Sequence, residues 1–403
     1  METQYRNVVV LSGCQAALQT VGATVIAVSG LVGALLASDP SLATIPLTCY
    51  VLGAAVTTVP ASLLMHAIGR RAGFQAGAAL GVLGAGLCAS AVYVASFGLL
   101  CAGLMVLGMH TAFGKYYRFA AADAAAVHFR AKAISLTLAG GLVGGYFGPE
   151  LAKRTVDLAA GHAYLASYLS LVTVCVAAGL MLTRLDIPRP AQEPKGSGRP
   201  LTEIMRQPVF IVAALAGMLS YGIMNLMMTA TPLAMRAHDH QFHDATFVLQ
   251  WHMIGMFAPS FFTGALINRF GVLSVILAGI VLLFACIGAA LADTALVNFW
   301  VALLLLGIGW NFMYVGGSAL LAECHTSAER AKTQAANDLL IFATMAISSA
   351  SSGLLLNQSG WEAVSYGSIP FVLAAMAATT WLMWQRRAAQ RLSALINTNQ
   401  AQP

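Results

Sequence analysis

Apolar and polar residues follow one another in long blocks along this chain. Apolar runs of about 20 residues, the length that a helix needs to cross hydrocarbon, recur from one end to the other. Short polar or charged segments separate these runs. The pattern predicts an all-α polytopic membrane protein. Its twelve transmembrane helices are expected near residues 8–36, 43–65, 74–94, 97–119, 131–152, 164–183, 209–235, 246–267, 272–292, 298–320, 338–356 and 366–385.

The longest polar segment lies at the midpoint of the chain. Its prolines, glycines and charges, "RLDIPRPAQEPKGSGRPLTEIMRQP", predict a cytoplasmic linker at 184–208. The linker separates six-helix bundles at 1–183 and 209–385, and a cytoplasmic tail follows at 386–403. Gly69 of "IGRRAG" recurs as Gly271 of "NRFGVL", and "RAK" recurs at a similar offset of about 200 residues. The halves are therefore expected to be two six-helix pseudo-repeats.

Composition excludes a soluble protein. The 403 residues are 59% hydrophobic and 9% charged, whereas a soluble domain carries about 25% charged residues. The formal charge of +6 comes from basic loops. Placing both termini in the cytoplasm puts nearly all Lys and Arg on that side, as the positive-inside rule requires for a bacterial inner membrane. No nucleophile–base pair, phosphate loop or cofactor motif is present, so we expect neither an enzyme nor a nucleic-acid-binding protein.

Two basic turns in equivalent positions carry a resemblance to a known family. Six plus six helices, with such a turn after spans 2 and 8, resemble the major facilitator superfamily. The resemblance implies a major facilitator fold, a binding site near the midplane between the halves, and alternating access by rocking. The matching residues of its loop motif, which we interpret as cytoplasmic gate loops, are Gly69, Arg70 and Arg71, and then Gly264, Asn268, Arg269 and Gly271.

Two pairs of soft donors lie within predicted spans 7 and 8. "MNLMM" provides Met224 and Met228, and "WHMIGM" provides His252 and Met256. Each pair is spaced i,i+4 and so shares a helix face. A rise of 1.5 Å per residue puts Met228 and His252 about 10–12 Å deep, and the other two about 16–18 Å deep. Thioether and imidazole ligands suit Cu(I), although methionine also fills gaps in apolar cores. His252 is open to a second interpretation as a proton relay or organic-substrate contact.

These four positions also resemble the CcoA-type copper importers. That resemblance implies a monomeric carrier that moves copper from the periplasm to the cytoplasm for assembly of cbb3-type cytochrome oxidase. Copper is then the transported substrate, and no cofactor is bound permanently. The flanking "MTATPLAM" and "FAPSFFTG" are less specific, because similar flanks accompany riboflavin carriers. An organic-solute transporter, for riboflavin uptake or drug/proton antiport, is therefore the alternative. A third hypothesis is a membrane-bound metal sensor, or a chaperone partner of oxidase assembly, that does not translocate a substrate.

Other polar residues are secondary candidates. The predicted outer loop "HDHQFHD" is either a metal-collecting site at the mouth of spans 7 and 8 or a solvated loop. "GGLVGGYFGP" resembles an antiporter motif, but its glycines are explained by close helix packing. The loop histidines are His238, His240 and His243, and the candidates for lining the central cavity are Cys14, Gln15, Gln19, Trp310 and Asn311.

Overall fold

A computed structural model describes residues 2–126, 130–187, 198–326 and 329–400. Throughout that part of the chain the regular structure is helical. The helices are α1 Glu2–Leu36, α2 Ile45–Ile68, α3 Arg70–Tyr93, α4 Phe97–Gly114, α5 Tyr117–Asp123, α6 Arg130–Thr155, α7 Leu165–Leu182, α8 Leu201–Met205, α9 Pro208–Ala237, α10 Phe242–Phe257, α11 Ser260–Phe270, α12 Val272–Ala292, α13 Leu296–Leu321 and α14 Arg330–Gln400.

The helices correspond to the twelve expected spans in chain order. Within the described residues, nine helical segments are long and apolar enough to cross a membrane. The span at α6 lies outside those nine, and span 8 is divided into α10 and α11, since Pro259 begins a new helix. Spans 11 and 12 form one element, α14, which Gly360 interrupts. Residues 188–197 of the predicted linker and the last three tail residues lie outside the described ranges.

Single glycines make the sharpest corners. Gly69 joins α2 to α3 at φ 92° and ψ 157°, and Gly271 joins α11 to α12 at φ 84° and ψ 150°. A positive φ of this kind favours glycine. Gly360, at φ 76°, makes the corner within α14, where the sequence pattern predicted a loop of several residues. The matching angles at Gly69 and Gly271 agree with the internal repeat.

Small residues bring helices into backbone contact within the first half. A Cβ placed on Gly140 would lie 2.2 Å from the carbonyl oxygen of Ser12, and one on Gly144 would lie 2.1 Å from that of Ala16. A Cβ on Gly148 would lie 2.8 Å from the Thr20 carbonyl oxygen of α1. The Thr24 hydroxyl donates a hydrogen bond to the Gly148 carbonyl at 2.8 Å. The glycine-rich motif of α6 therefore packs this helix against α1.

The two halves pack directly together on the side opposite the termini. There the Thr44 hydroxyl accepts a hydrogen bond from the Gly353 amide at 3.1 Å, and the Tyr164 and Phe242 rings lie 5.7 Å apart. On the side of the termini, exposed Lys115, which follows the end of α4, places its Nζ 3.6 Å from the ring centroid of Phe342 in α14. The two halves are therefore in contact on both sides of the protein.

The end of the linker is anchored by a buried carboxylate. Glu329 is 2% exposed and accepts hydrogen bonds from the Arg199 guanidinium at 2.8 and 2.9 Å. It also accepts from the amides of Thr326 at 2.9 Å and Arg199 at 2.8 Å. These donors, the Arg199 side chain above all, hold the pKa of Glu329 well below its usual range. The linker is thus fixed to the loop between α13 and α14.

We expect Glu329→Gln to lower the thermal unfolding midpoint of the detergent-purified protein at pH 7. The folded pKa of Glu329 lies below the unfolded value of about 4.3, so its stabilisation is complete above that value and is lost as the pH falls towards the folded pKa. The wild-type midpoint should therefore fall below about pH 4.3 more steeply than that of Glu329→Gln. Glu323→Gln removes the half-exposed partner of Arg386 and serves as the control. Equal midpoints for Glu329→Gln and wild type at pH 7 would contradict the assignment.

Candidate functional site

His252 is the most deeply buried of the predicted soft donors. Its side chain is inaccessible to solvent, and Nδ1 donates to the Leu303 carbonyl of α13 at 2.7 Å. Because a carbonyl only accepts, Nδ1 carries the proton, and in the neutral ring Nε2 presents a lone pair. Nε2 is buried and has no hydrogen-bond partner within the described part of the chain. The ring is therefore oriented through one nitrogen and offers the other to a ligand.

Close packing of α10 on α13 fixes the position of this histidine. A Cβ on Gly307 would lie 2.5 Å from the His252 carbonyl oxygen and 2.9 Å from the Met256 amide nitrogen. A Cβ on Gly255 would lie 2.8 Å from the Leu304 carbonyl oxygen. Two facing glycines thus bring the helix backbones together at the level of the predicted donors.

The two methionines of α9 lie on the face that meets α13. Tyr221 contacts Trp310 of α13, with ring centroids 5.1 Å apart. Met224 and Met228 follow Tyr221 by three and seven residues and so continue the same helix face. Met227 points elsewhere, and its sulfur accepts from Cys286 of α12 at 3.8 Å, as helical periodicity predicts.

The four predicted donors are therefore arranged around one stretch of α13. The exposed fractions of Met224, Met228 and Met256 are 5%, 4% and 6%. Their helix faces converge on α13 between the residue that binds His252 and the tryptophan that contacts α9. The described residues contain no group of three or more His, Cys, Asp or Glu side chains that could hold a metal. Any soft-metal site here would depend on thioether sulfur plus one imidazole.

An aromatic cluster lies next to these donors, towards the termini. The Trp310 and Tyr314 rings are stacked at 5.0 Å with an interplanar angle of 20°. Tyr221 meets both edge-on at 5.1 and 5.0 Å, and Phe257 lies 6.4 Å from Trp310. Trp310 is 4% exposed, and its Nε1 is buried without an acceptor among the described residues. The cluster presents flat rings and one unused N–H donor.

Of the four residues in this cluster, only Trp310 was predicted as a candidate from the sequence. Tyr221, Phe257 and Tyr314 lie on three different helices, and aromatic residues in apolar spans are common. The i,i+4 spacing of Trp310 and Tyr314 was the one signal available. Their association depends on how the helices rotate relative to one another, which the sequence pattern does not specify.

Asn311 has a different position from the one expected. Its Nδ2 donates to the Met256 carbonyl and to the Ser260 hydroxyl, both at 2.7 Å, and its Oδ1 accepts from Thr263 at 2.7 Å. These bonds bridge the break between α10 and α11, where Pro259 interrupts the helix. Asn311 thus uses its amide to hold span 8 in shape, and it does not point into a cavity.

The cavity-lining candidates of α1 pack against other helices of the first six-helix bundle. The Cys14 thiol is buried and donates to the Ala178 carbonyl at 3.8 Å. A Cβ on Gly141 would lie 3.4 Å from Gln19 Cγ and 3.7 Å from Gln15 Nε2. Both glutamines are half-buried beside α6. Both therefore pack against the glycine-rich face of α6.

The loop histidines have separate partners. His238 Nδ1 donates to the Ala234 carbonyl at 2.8 Å, and His240 Nε2 donates to the Thr294 carbonyl at 2.7 Å. The His243 ring lies 3.2 Å from the Asp244 carboxylate. Their directions differ, so the geometry favours the solvated-loop interpretation over a metal-collecting site.

The basic turns occupy one face of the protein. Ile68 to Ala72, including Arg70 and Arg71, line an open groove of about 410 Å³ with Gln75 and Ile187. In the second half, the Arg269 guanidinium lies 5.1 Å from the Phe270 ring centroid, and Asn268 precedes it on α11. The predicted gate residues therefore lie at the corners described above, on the side of the termini.

The fold and the buried polar groups between its helices define a polytopic membrane transporter. The sequence model of the Major Facilitator Superfamily matches residues 9–250 and 213–399. The chain belongs to the major facilitator superfamily. This confirms the family expected from the basic turns and the all-helical fold.

Individual relatives show what this chain is similar to. The riboflavin transporter RfnT of Brucella anthropi is 41% identical over 370 residues, which cover 91% of this chain and 93% of that protein. The MFS-type transporter YdeG of Bacillus subtilis is 32% identical and covers 86% of each chain. The crystal structure of the nucleoside transporter NupG has a TM-score of 0.72 at 14% identity, covers 94% of this chain and 99% of that one, and shows the shared fold. None of these comparisons supports a copper importer.

Proposed function

We propose that this protein is an organic-solute transporter that imports a flat heteroaromatic compound of the riboflavin class across the bacterial inner membrane. The observation that carries the proposal is the aromatic cluster of Tyr221, Phe257, Trp310 and Tyr314. Flat rings bind flat heteroaromatic substrates by stacking, which contributes about 1–3 kcal/mol per ring in nucleic-acid-binding sites. The similarity to a riboflavin transporter over nearly the whole chain agrees with this substrate class.

The unused polar atoms of the site fit the same ligand class. Trp310 Nε1 can donate a hydrogen bond, and His252 Nε2 can accept one. Both atoms are buried without partners in the described residues. Buried polar groups are normally hydrogen-bonded, so a substrate with both carbonyl acceptors and N–H donors on its ring edge would satisfy both. Riboflavin has such an edge.

Copper import is the second candidate function, and one observation favours it. The hydrogen bond at Nδ1 holds the His252 ring in place and leaves the buried Nε2 lone pair free to bind a ligand. Second-shell hydrogen bonds orient metal-binding histidines in the same way. Met224, Met228 and Met256 would supply the thioether ligands. Neutral soft ligands of this kind suit Cu(I). A copper carrier would not need the aromatic cluster.

Uptake measurements distinguish the two functions. Bacterial cells lacking their own riboflavin and copper carriers would express wild type, Met224→Ala, His252→Ala or Met227→Ala, and uptake of radiolabelled riboflavin and copper would be normalised to protein in the membrane. We expect riboflavin uptake by wild type and by Met224→Ala. Met227→Ala controls for loss of a buried methionine on another face of α9.

Each outcome supports or contradicts one of the two functions, or identifies a substrate contact. Riboflavin uptake in wild-type cells at the level of empty-vector cells would overturn the main proposal. Copper uptake that Met224→Ala and His252→Ala abolish while Met227→Ala preserves it would establish the second candidate. Riboflavin uptake that His252→Ala lowers about tenfold would show that Nε2 contacts the substrate, in line with a buried hydrogen bond of about 1.5 kcal/mol.

A further inference from the structure

Two cysteines of the first half stand apart from the other five. Cys49 of α2 and Cys101 of α4 are half-buried, while Cys14, Cys88, Cys175, Cys286 and Cys324 are fully buried. Their thiols also lie close enough to interact with each other. The candidate site described above is built from α9, α10 and α13 of the second bundle. It includes neither cysteine, since α2 and α4 belong to the first bundle.

The crossing of α2 and α4 explains this pairing. The two helices run in the same direction, since Tyr50 bonds Thr111 and the Tyr116 hydroxyl bonds the Thr58 carbonyl further along. A Cβ on Gly53 would lie only 2.0 Å from the Met105 carbonyl oxygen, so the backbones touch there. Parallel helices that touch at one level stay close one turn away.

Cys49 and Cys101 occupy that adjacent turn. Cys49 precedes Gly53 by four residues, and Cys101 precedes Met105 by four. Parallel helices in backbone contact one turn away place such residues near the Cα–Cα separation of about 4.4–6.8 Å that a disulfide requires. The two thiols lie about 6 Å along their helices from the ends opposite the termini. The basic residues predict that this is the outer, oxidising side.

We propose that Cys49 and Cys101 form a reversible dithiol–disulfide site near the outer face of the membrane. The reactant is a small-molecule disulfide such as oxidised glutathione. One cysteine thiolate attacks a sulfur of that disulfide, releases one thiol and forms a mixed disulfide. The second cysteine thiolate then attacks the protein sulfur of the mixed disulfide and releases the second thiol. The protein loses two hydrogens and two electrons, and the small disulfide is reduced to two thiols.

The cross-link would act beside the moving interface of the carrier. Val51 and Ala54 of α2 pack against Phe342 and Ala346 of α14 in the other half. Oxidation ties α2 to α4 within one turn of that contact. The disulfide therefore fixes the helix of the first half that slides against α14 during alternating access.

Thiol counting tests the proposal on the full-length protein in detergent. After incubation with oxidised glutathione and denaturation, we expect wild type to fall from seven alkylatable thiols to five, with a mass loss of two hydrogens and no retained glutathione. Dithiothreitol should restore all seven. Peptide mapping should find Cys49 linked to Cys101.

Serine variants remove one thiol at a time and keep a side chain of similar size. Cys49→Ser and Cys101→Ser should each retain one glutathione on the remaining partner or stay unmodified, and neither should lose two hydrogens. Cys175→Ala, which removes a buried thiol elsewhere in the same half, should still lose two. Wild type that keeps seven alkylatable thiols, that carries two glutathiones, or that links a different pair would overturn the proposal.

Discussion

Trp310→Ala should weaken the apparent affinity for riboflavin uptake by about tenfold to hundredfold. Alanine removes the ring that stacks with Tyr314 and receives the edge of Tyr221. Stacking on one aromatic side chain contributes about 1–3 kcal/mol, and each 1.4 kcal/mol corresponds to about a tenfold change in affinity. The measurement is the substrate concentration that gives half-maximal initial uptake, normalised to carrier in the membrane.

A graded substitution separates the ring from its N–H group. Trp310→Phe keeps an aromatic face and removes Nε1, so we expect a loss of about threefold to tenfold, the value of one hydrogen bond of about 0.5–1.5 kcal/mol. Trp300→Ala is the matched control, because Trp300 lies on the same helix, also has an unpartnered Nε1 among the described residues, and packs on Trp251 instead. Equal losses of apparent affinity for Trp310→Ala and Trp300→Ala would show that the aromatic cluster is not part of the substrate site.

Gly108→Ala should cause the largest loss of stability of any single methyl addition proposed for this protein. A Cβ there would lie 1.9 Å from the Tyr50 carbonyl oxygen and 2.9 Å from the Ala54 amide nitrogen. These are backbone atoms that no rotamer change can move away. Overpacking of a tight contact costs about 1–3 kcal/mol or more. We expect a lower thermal unfolding midpoint in detergent and less carrier in the membrane.

Gly86 provides the matched control for that substitution. It lies inside α3, and a Cβ added there would have nothing within 4 Å. Alanine is a better helix former than glycine by about 1 kcal/mol, so Gly86→Ala should keep or raise the unfolding midpoint. A Gly108→Ala protein as stable as Gly86→Ala would show that α2 and α4 do not meet in the way described, and would also weaken the basis for the Cys49–Cys101 site.

The long apolar blocks predicted the fold because membrane thickness fixes the length of each helix. The corner at Gly360 could not be predicted in this way, since hydropathy falls gradually across a turn that a single residue makes. The break at Pro259 was not predicted either, because Asn311 supplies its hydrogen bonds from a different helix. Such features depend on contacts between segments that are far apart in sequence.

The candidate site was predicted in part for a similar reason. Counting residues from the membrane surface placed Met228 and His252 at one level. The His252 ring bonds α13, and Met228 lies on the face of α9 that continues from Tyr221, which also meets α13. Counting could not reveal that α13 lies between their helices, or that Tyr221 continues the face of the methionines. The donor atoms could therefore be predicted from the sequence, whereas the aromatic cluster beside them could not. The prediction of copper as the substrate rested on the donor atoms alone and did not include the aromatic cluster. A fold and a few ligand-type residues do not define the substrate.

The contact between Thr44 and Gly353, on the side opposite the termini, determines how binding measurements made from that side will look. A ligand offered from there reaches the central site only in the fraction of carriers whose halves have separated at this contact. The apparent dissociation constant from that side is therefore the intrinsic one divided by that fraction. The ratio of the two constants measures how strongly the resting carrier prefers to keep this contact closed.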